Sequence, residues 1–166
     1  MITLRKVTLE DKRILRNLFS YFIHDLAKYE DARIDKNGFF DNPDVEHVIK
    51  HRGHHAFFIM CNHEIAGFVT VTRPPYHSKD RKTTVVQHFF VLNGYRRKSI
   101  GSEAFLKVLR RFPGKYAVGQ LRGNRPAIKF WRTVLRRNGI RYTEGIIHDP
   151  DQSYMVQRFR YRRRTR

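Results

Sequence analysis

The apolar run Val85-Val86-Gln87-His88-Phe89-Phe90-Val91-Leu92 is followed by a basic turn, Tyr95-Arg96-Arg97-Lys98-Ser99-Ile100-Gly101-Ser102, and then by a helix-forming stretch ending near Phe112. The pattern predicts a strand over 84–92, a tight turn and a helix over 99–112. That order constrains the fold strongly, because a strand entering a helix through a short turn points the helix's first amides outward. Those amides have no partner within the helix, and the helix dipole favours negative charge beside them. Gly101 lets a backbone approach a diphosphate closely, while Arg96, Arg97 and Lys98 add positive charge. A phosphorylated ligand is expected at this turn.

The rest of the chain supplies alternating elements around that unit. Residues 2–8 read as a strand, and Thr8 with Asp11 three positions on reads as a helix start. The rows Ile14, Leu18, Phe22, Leu26 and Leu15, Phe19, Ile23, Ala27 form the apolar stripe of a helix. Asn42-Pro43 suits the opening of a short second helix that runs to about residue 50. Residues 56–61 and 65–72 are β-rich and flank Asn62-His63-Glu64, a predicted hairpin. Beyond the 99–112 helix and Pro113-Gly114, residues 116–121 form a strand and 125–137 a helix. That second helix turns Ala127, Ile128, Trp131, Val134 and Leu135 inward and closes at Asn138-Gly139. Residues 142–147 and 154–161 complete a last hairpin through Asp149-Pro150-Asp151.

The turn at 96–101 and the stretch Asn124-Arg125-Pro126-Ala127-Ile128-Lys129-Phe130-Trp131 together carry a resemblance. They are similar to the two signatures of the GNAT (GCN5-related N-acetyltransferase) superfamily, and the chain resembles its small bacterial predicted acetyltransferases. The family's pyrophosphate loop reads Gln/Arg-x-x-Gly-x-Gly/Ala. Arg96 and Gly101 match it, and Ser99 replaces the first glycine. The second signature, Asn-x-x-Ala-x-x-Phe-Tyr, appears as Asn124, Ala127, Phe130 and Trp131, with tryptophan in the tyrosine's place. The resemblance implies an α/β (α+β) fold: a mixed, mostly antiparallel sheet with helices on both faces, in the order β-α-α-β-β-β-α-β-α-β-β. Residues 1–161 would make a single domain, with 162–166 as a basic tail.

The resemblance also implies acetyl-CoA as cofactor and acetyl transfer to a primary amine of a small molecule, peptide or protein. Arg96, Arg97, Lys98, Ser99, Ile100, Gly101 and Ser102 would then hold the diphosphate, and Asn124, Ala127, Phe130 and Trp131 would border the cofactor groove. Backbone around Phe89, Phe90 and Val91 would meet the thioester. The family's usual acid is the missing tyrosine; Tyr116 and Tyr142 are candidates to replace it, as is water. An imidazole suits proton removal near neutrality, so His88 is the candidate base. Strand alternation leaves open whether it faces the cleft or the opposite layer. The acidic stretch holding Asp25, Tyr29 and Glu30 lies between the first two helices, on the family's acceptor side.

Charge adds a further expectation. The chain of 166 residues has a net charge of +19. Residues 1–83 hold 14 Lys/Arg against 11 Asp/Glu, and residues 84–166 hold 20 against 4, so the excess is C-terminal. The cofactor accounts for part of it, and two readings of the rest stay open. Arg158, Arg160, Arg162, Arg163, Arg164 and Arg166 form either a solvated strand and tail or an arm for an anionic partner. The second gives an alternative function: a nucleic-acid or ribonucleoprotein binding protein of the same fold, with acetyl-CoA as a non-catalytic ligand and Phe159 and Tyr161 as stacking groups. His51-Arg52-Gly53-His54-His55 fits no common zinc spacing, so no metal is expected. One cysteine, Cys61, and the lack of a signal-peptide core suit the reducing cytoplasm.

Overall fold

A computed structural model describes residues 1–41, 43–73 and 82–163. Its elements follow the expected order: β1 (Ile2–Lys6), α1 (Lys12–Leu26), α2 (Val45–Lys50), β2 (His54–Cys61), β3 (Glu64–Thr72), β4 (Thr83–Val91), α3 (Ile100–Arg111), β5 (Gly114–Leu121), α4 (Arg125–Arg137), β6 (Tyr142–His148) and β7 (Ser153–Tyr161). The seven strands are ordered β1-β2-β3-β4-β5-β7-β6. β1–β2, β5–β7 and β6–β7 pair antiparallel, whereas β4–β5 pair parallel from Thr83↔Lys115 to Val86↔Val118. No described helix is long and apolar enough to cross a membrane. Contacts group the chain into two compact units, 1–71 with 88–104, and 72–87 with 105–166.

In the first unit, Thr8 and Asp11 act as the sequence predicts. Asp11 Oδ2 accepts from the Thr8 backbone N–H at 3.0 Å and from its hydroxyl at 3.1 Å. The same carboxylate accepts a two-pronged bond from Arg5, 3.0 Å at each oxygen, which ties β1 to the turn before α1. Burial disfavours the Asp11 carboxylate, but these bonds outweigh it and hold the pKa below the usual value. The apolar stripe of α1 is narrower than expected. Leu15, Leu18 and Phe19 are buried, Phe22 is partly so, and Ile14 is 40% exposed because it falls off the side of the stripe that meets the sheet. These side chains pack on Ala56, Phe58, Phe68 and Phe90. α2 begins at Val45, later than Asn42-Pro43 implied. Asp44 sets the start by accepting from the Glu46 and His47 amides at 3.0 and 3.1 Å, and Asn42 lies outside the described residues. The β2–β3 turn holds Asn62 and His63 at φ of 49° and 73°, the left-handed pair of a tight hairpin.

In the second unit, α3 and α4 bury Phe105, Val108, Leu109, Trp131, Val134 and Leu135. Tyr116 of β5 stacks on Phe159 of β7, ring centroids 5.2 Å apart and 3° from parallel. A polar chain crosses the sheet here. Gln120 donates to the fully buried Gln157 (2.9 Å), Gln157 donates to Glu144 (2.8 Å), and Arg132 of α4 grips Glu144 with two bonds of 2.8 Å. That fork holds the Glu144 carboxyl below its ordinary range.

One contact in the first unit admits only glycine. A Cβ built on Gly67 of β3 would sit 2.0 Å from the Phe90 carbonyl oxygen of β4. Gly67→Ala must therefore push β4 outward or twist β3, and we expect a loss of about 3 kcal/mol in urea unfolding. An unchanged unfolding midpoint would show that the two strands have slack there.

Candidate functional site

β4 ends at Val91, a single 3-10 turn spans Asn93–Tyr95, and α3 starts at Ile100. The strand–turn–helix expected from sequence is therefore present, and its backbone is unusual. Arg97 and Ser99 both have φ of 61°. Left-handed residues alternating with ordinary ones turn successive N–H groups toward one side, a concavity suited to anions. The first backbone bond into α3 is Glu103 N–H to Ser99 O at 3.0 Å, which leaves the amides of Ile100, Gly101 and Ser102 without an intrahelical acceptor.

The three basic side chains of the turn do different things. Arg96 folds back: its Nε donates to the Val91 carbonyl at 2.7 Å, Nη2 pairs with Asp25 at the end of α1, and the guanidinium lies 5.6 Å from the centre of the Phe90 ring. Lys98 donates to the Gly94 carbonyl at 2.8 Å. Arg97 is exposed and makes no hydrogen bond or ion pair among the described residues. Tyr95 anchors the turn from outside by donating to Glu64 at 2.7 Å. The turn thus holds itself with two of its cations and leaves the third, Arg97, exposed in the chain just ahead of the helix-start amides. Diphosphate chemistry fits these residues.

The candidate acceptor residues separate in the same way. The Asp25 carboxylate is taken by Arg96. Tyr29 is exposed. Glu30 is half-buried with no hydrogen bond or ion pair to its carboxylate among the described residues, and burial pushes its pKa above the ordinary value.

His88, whose orientation sequence left open, points into the layer beneath α1. Phe19 and Phe22 meet its ring edge-on, at 4.9 and 5.5 Å between centroids. Its Nδ1 lies 2.8 Å from the buried Thr70 hydroxyl, a partner that sequence reasoning missed. Burial, with a smaller contribution from His54, lowers its pKa to about 4. The ring is neutral at neutral pH and a weak proton acceptor, as expected of a satisfied core histidine. Phe90 is 5% exposed in the same core, and Phe89 and Val91 are half-buried.

The second signature is likewise mainly structural within its own unit. Asn124 caps α4, its Oδ1 accepting from the Ala127 N–H at 3.1 Å. Trp131 is buried, edge-on to Phe105 at 4.8 Å, and the half-buried Phe130 packs beside it at 5.1 Å. Tyr116 is 1% exposed, donates to the Phe112 carbonyl at 2.6 Å, and has its pKa raised by burial. Its hydroxyl is buried against the carbonyl that follows α3 and does not stand open to a leaving group. Tyr142 opens β6 half-buried, opposite Phe159 in the ladder. The outer face of α4 carries a groove of about 450 Å³ lined by Arg125, Ile128, Lys129, Arg132 and Arg136.

In β7, the Arg158-Phe159-Arg160-Tyr161 alternation puts Phe159 in the core and both arginines outside, so Phe159 has no face to offer a base. Arg163 donates to the Arg110 carbonyl at 2.8 Å. Arg164 and Arg166 lie outside the described residues.

The histidines behave unlike the contiguous reading of 51–55. His47, one helical turn before His51, joins His51 and His54 in a group whose ligand nitrogens lie within 4.8 Å of one another. The i, i+4 spacing of His47 and His51 was the available signal.

Because Ser99 is left-handed, its replacement should follow backbone shape. Ser99→Val should cost about 1–2 kcal/mol in urea unfolding, since a β-branched residue fits that region worst. Ser99→Gly should be near neutral, relief of strain offsetting added chain entropy. Equal stabilities for the two variants would contradict the geometry.

The profile of the acetyltransferase (GNAT) family matches residues 15–135. Among curated protein sequences, none matches. Solved structures do. An aminoglycoside acetyltransferase in complex with coenzyme A superposes with a TM-score of 0.67 at 18% identity, over 95% of this chain and 94% of that one. An acetyltransferase from Thermus thermophilus gives 0.65 at 15% identity, over 95% and 96%. The ribosomal-protein-S18-alanine N-acetyltransferase from Escherichia coli gives 0.63 at 10% identity, over 99% and 97%. At such identities the likeness speaks for the fold, and the profile match for the lineage: this chain belongs to the GNAT acetyltransferase family.

Proposed function

We propose that the chain is an acetyl-CoA-dependent N-acetyltransferase acting on a primary amine of a small-molecule or peptide acceptor in the cytoplasm. The observation that carries the reading is the 96–102 turn, where unpartnered Arg97 stands with left-handed backbone ahead of a helix start. Arg97 and the amides of Ile100, Gly101 and Ser102 bind the diphosphate, while Arg96 keeps the turn in place. When bound, acetyl-CoA supplies the thioester carbonyl that the amine attacks and the thiolate that leaves. Backbone N–H groups of Phe89 or Val91 steady the developing oxyanion.

Glu30 receives the acceptor. A half-buried carboxylate with a raised pKa attracts an ammonium and, once the amine is seated, takes its proton more readily than an ordinary glutamate. His88 supports α1 and β4 through Thr70 and the two phenylalanines. A thiolate leaves without help from a strong acid, so water suffices to protonate it.

Coenzyme A should raise the melting temperature by mass action. Gly101→Asp, which puts a carboxylate against the diphosphate, should remove the rise while leaving the far-ultraviolet spectrum of the apo protein intact. No shift at millimolar coenzyme A in low salt would overturn the reading.

Glu30→Gln should raise KM for a cationic acceptor by at least about tenfold and leave coenzyme A affinity unchanged. It should also stabilise the protein in a pH-dependent way. The folded pKa lies above the unfolded value of 4.5, so ionising Glu30 costs the fold. The gain should be absent below pH 4.5 and develop as pH rises through the folded pKa. A variant with wild-type KM and no such gain would assign Glu30 to solvated surface.

A further inference from the structure

His47 and His51 stand one helical turn apart at the end of α2, and the chain then doubles back through Gly53, at φ of 89°, to begin β2 at His54. Backbone bonds lock that return: His51 N–H donates to His47 O at 2.9 Å, and His54 N–H to His51 O at 3.0 Å. The three rings come together as a result. Centroids are 4.5 Å apart for His47–His51, 5.5 Å for His47–His54 and 5.2 Å for His51–His54. One nitrogen from each ring lies within 4.8 Å of the nitrogens of the other two.

We propose that His47, His51 and His54 form a binding site for a divalent transition metal of the zinc, nickel or copper type. Three arguments support it. The first is reach. Zinc at its usual distance from imidazole nitrogen spaces its ligands by about 3.4 Å, so the group must close by about 1.4 Å at its widest. His47 and His51 are exposed, and half-buried His54 stands at the root of a strand.

The second argument is donor chemistry. Neutral nitrogen donors without an oxygen suit zinc, nickel and copper, and are poor for magnesium and calcium. The carboxylates of this helix are occupied: Glu46 pairs with Lys12 and Lys50, and Asp44 caps the helix N-terminus.

The third is the scaffold. One ligand comes from α2, one from the residue that caps its C-terminus and one from the first residue of β2, and the two backbone bonds tie these three positions together. Bound metal would fasten α2 to a strand whose Phe57, Phe58 and Ile59 are fully buried. With two of the three rings facing solvent, at least one coordination position stays open to water.

The test uses the full-length, tag-free chain stripped with EDTA. Zinc followed by calorimetry should bind at one equivalent per chain and raise the melting temperature. Cobalt should give visible d–d absorption, and magnesium should do neither. His47→Gln and His51→Gln, both at exposed positions, should each weaken zinc binding by at least about tenfold and abolish the cobalt spectrum. His148→Gln, whose histidine bonds Ser153 on the β6–β7 hairpin, should bind as the wild type does. Undiminished binding by the His47→Gln/His51→Gln double variant, or no saturable binding at sub-millimolar zinc, would overturn the proposal.

Discussion

The Arg96 guanidinium holds three parts of the first unit in register. Its Nε fixes the last carbonyl of β4, its Nη2 pairs with Asp25 at the end of α1, and its flat face covers Phe90 in the core. A lysine has neither the fork nor the plane to do all three. The left-handed Arg97 and Ser99 that follow are tolerable because this anchor, with Tyr95–Glu64 and Lys98–Gly94, determines the path on both sides of them. The proposed role of the helix-start amides depends on a backbone that is held, and Arg96 acts as a structural member of the turn.

The same economy runs through the other signature residues. Asn124 is a helix cap, Trp131 a core side chain, Tyr116 a buried hydroxyl bonded to a helix carbonyl, and His88 an imidazole enclosed by phenylalanines. Each is a residue type that chemistry uses, and each has its polar atom occupied by the fold or its ring spent on packing. Arg97, the helix-start amides and the Glu30 carboxylate, by contrast, have no such partner among the described residues. That set suits a reaction whose activation comes from binding and orientation, with a leaving group that needs little protonation.

Most of the fold was legible before any coordinates. Element order, the Thr8–Asp11 box, the hairpin at Asn62 and the helix at 125–137 each follow from interactions a few residues long, and short-range signals survive in a linear reading. Errors came where a tertiary contact moved a boundary or a face. α2 starts three residues after Asn42 because Asp44 supplies the cap, and Ile14 leaves the core because the sheet meets α1 on a narrower stripe. Gly67 looks like any strand glycine until the Phe90 carbonyl is placed against it.

The amino-acid sequence by itself determined where the basic turn lies and that a helix follows it, because these depend on residues adjacent in the chain; the left-handed backbone at Arg97 and Ser99 came only with the structure. Only the tertiary structure decided which charges are available. Asp25 and Arg96 neutralise one another across 71 residues, Glu30 is left half-buried, and His47 reaches His54 through a turn. Those outcomes depend on distances between elements, and a side chain's protonation and reach depend on what is packed beside it.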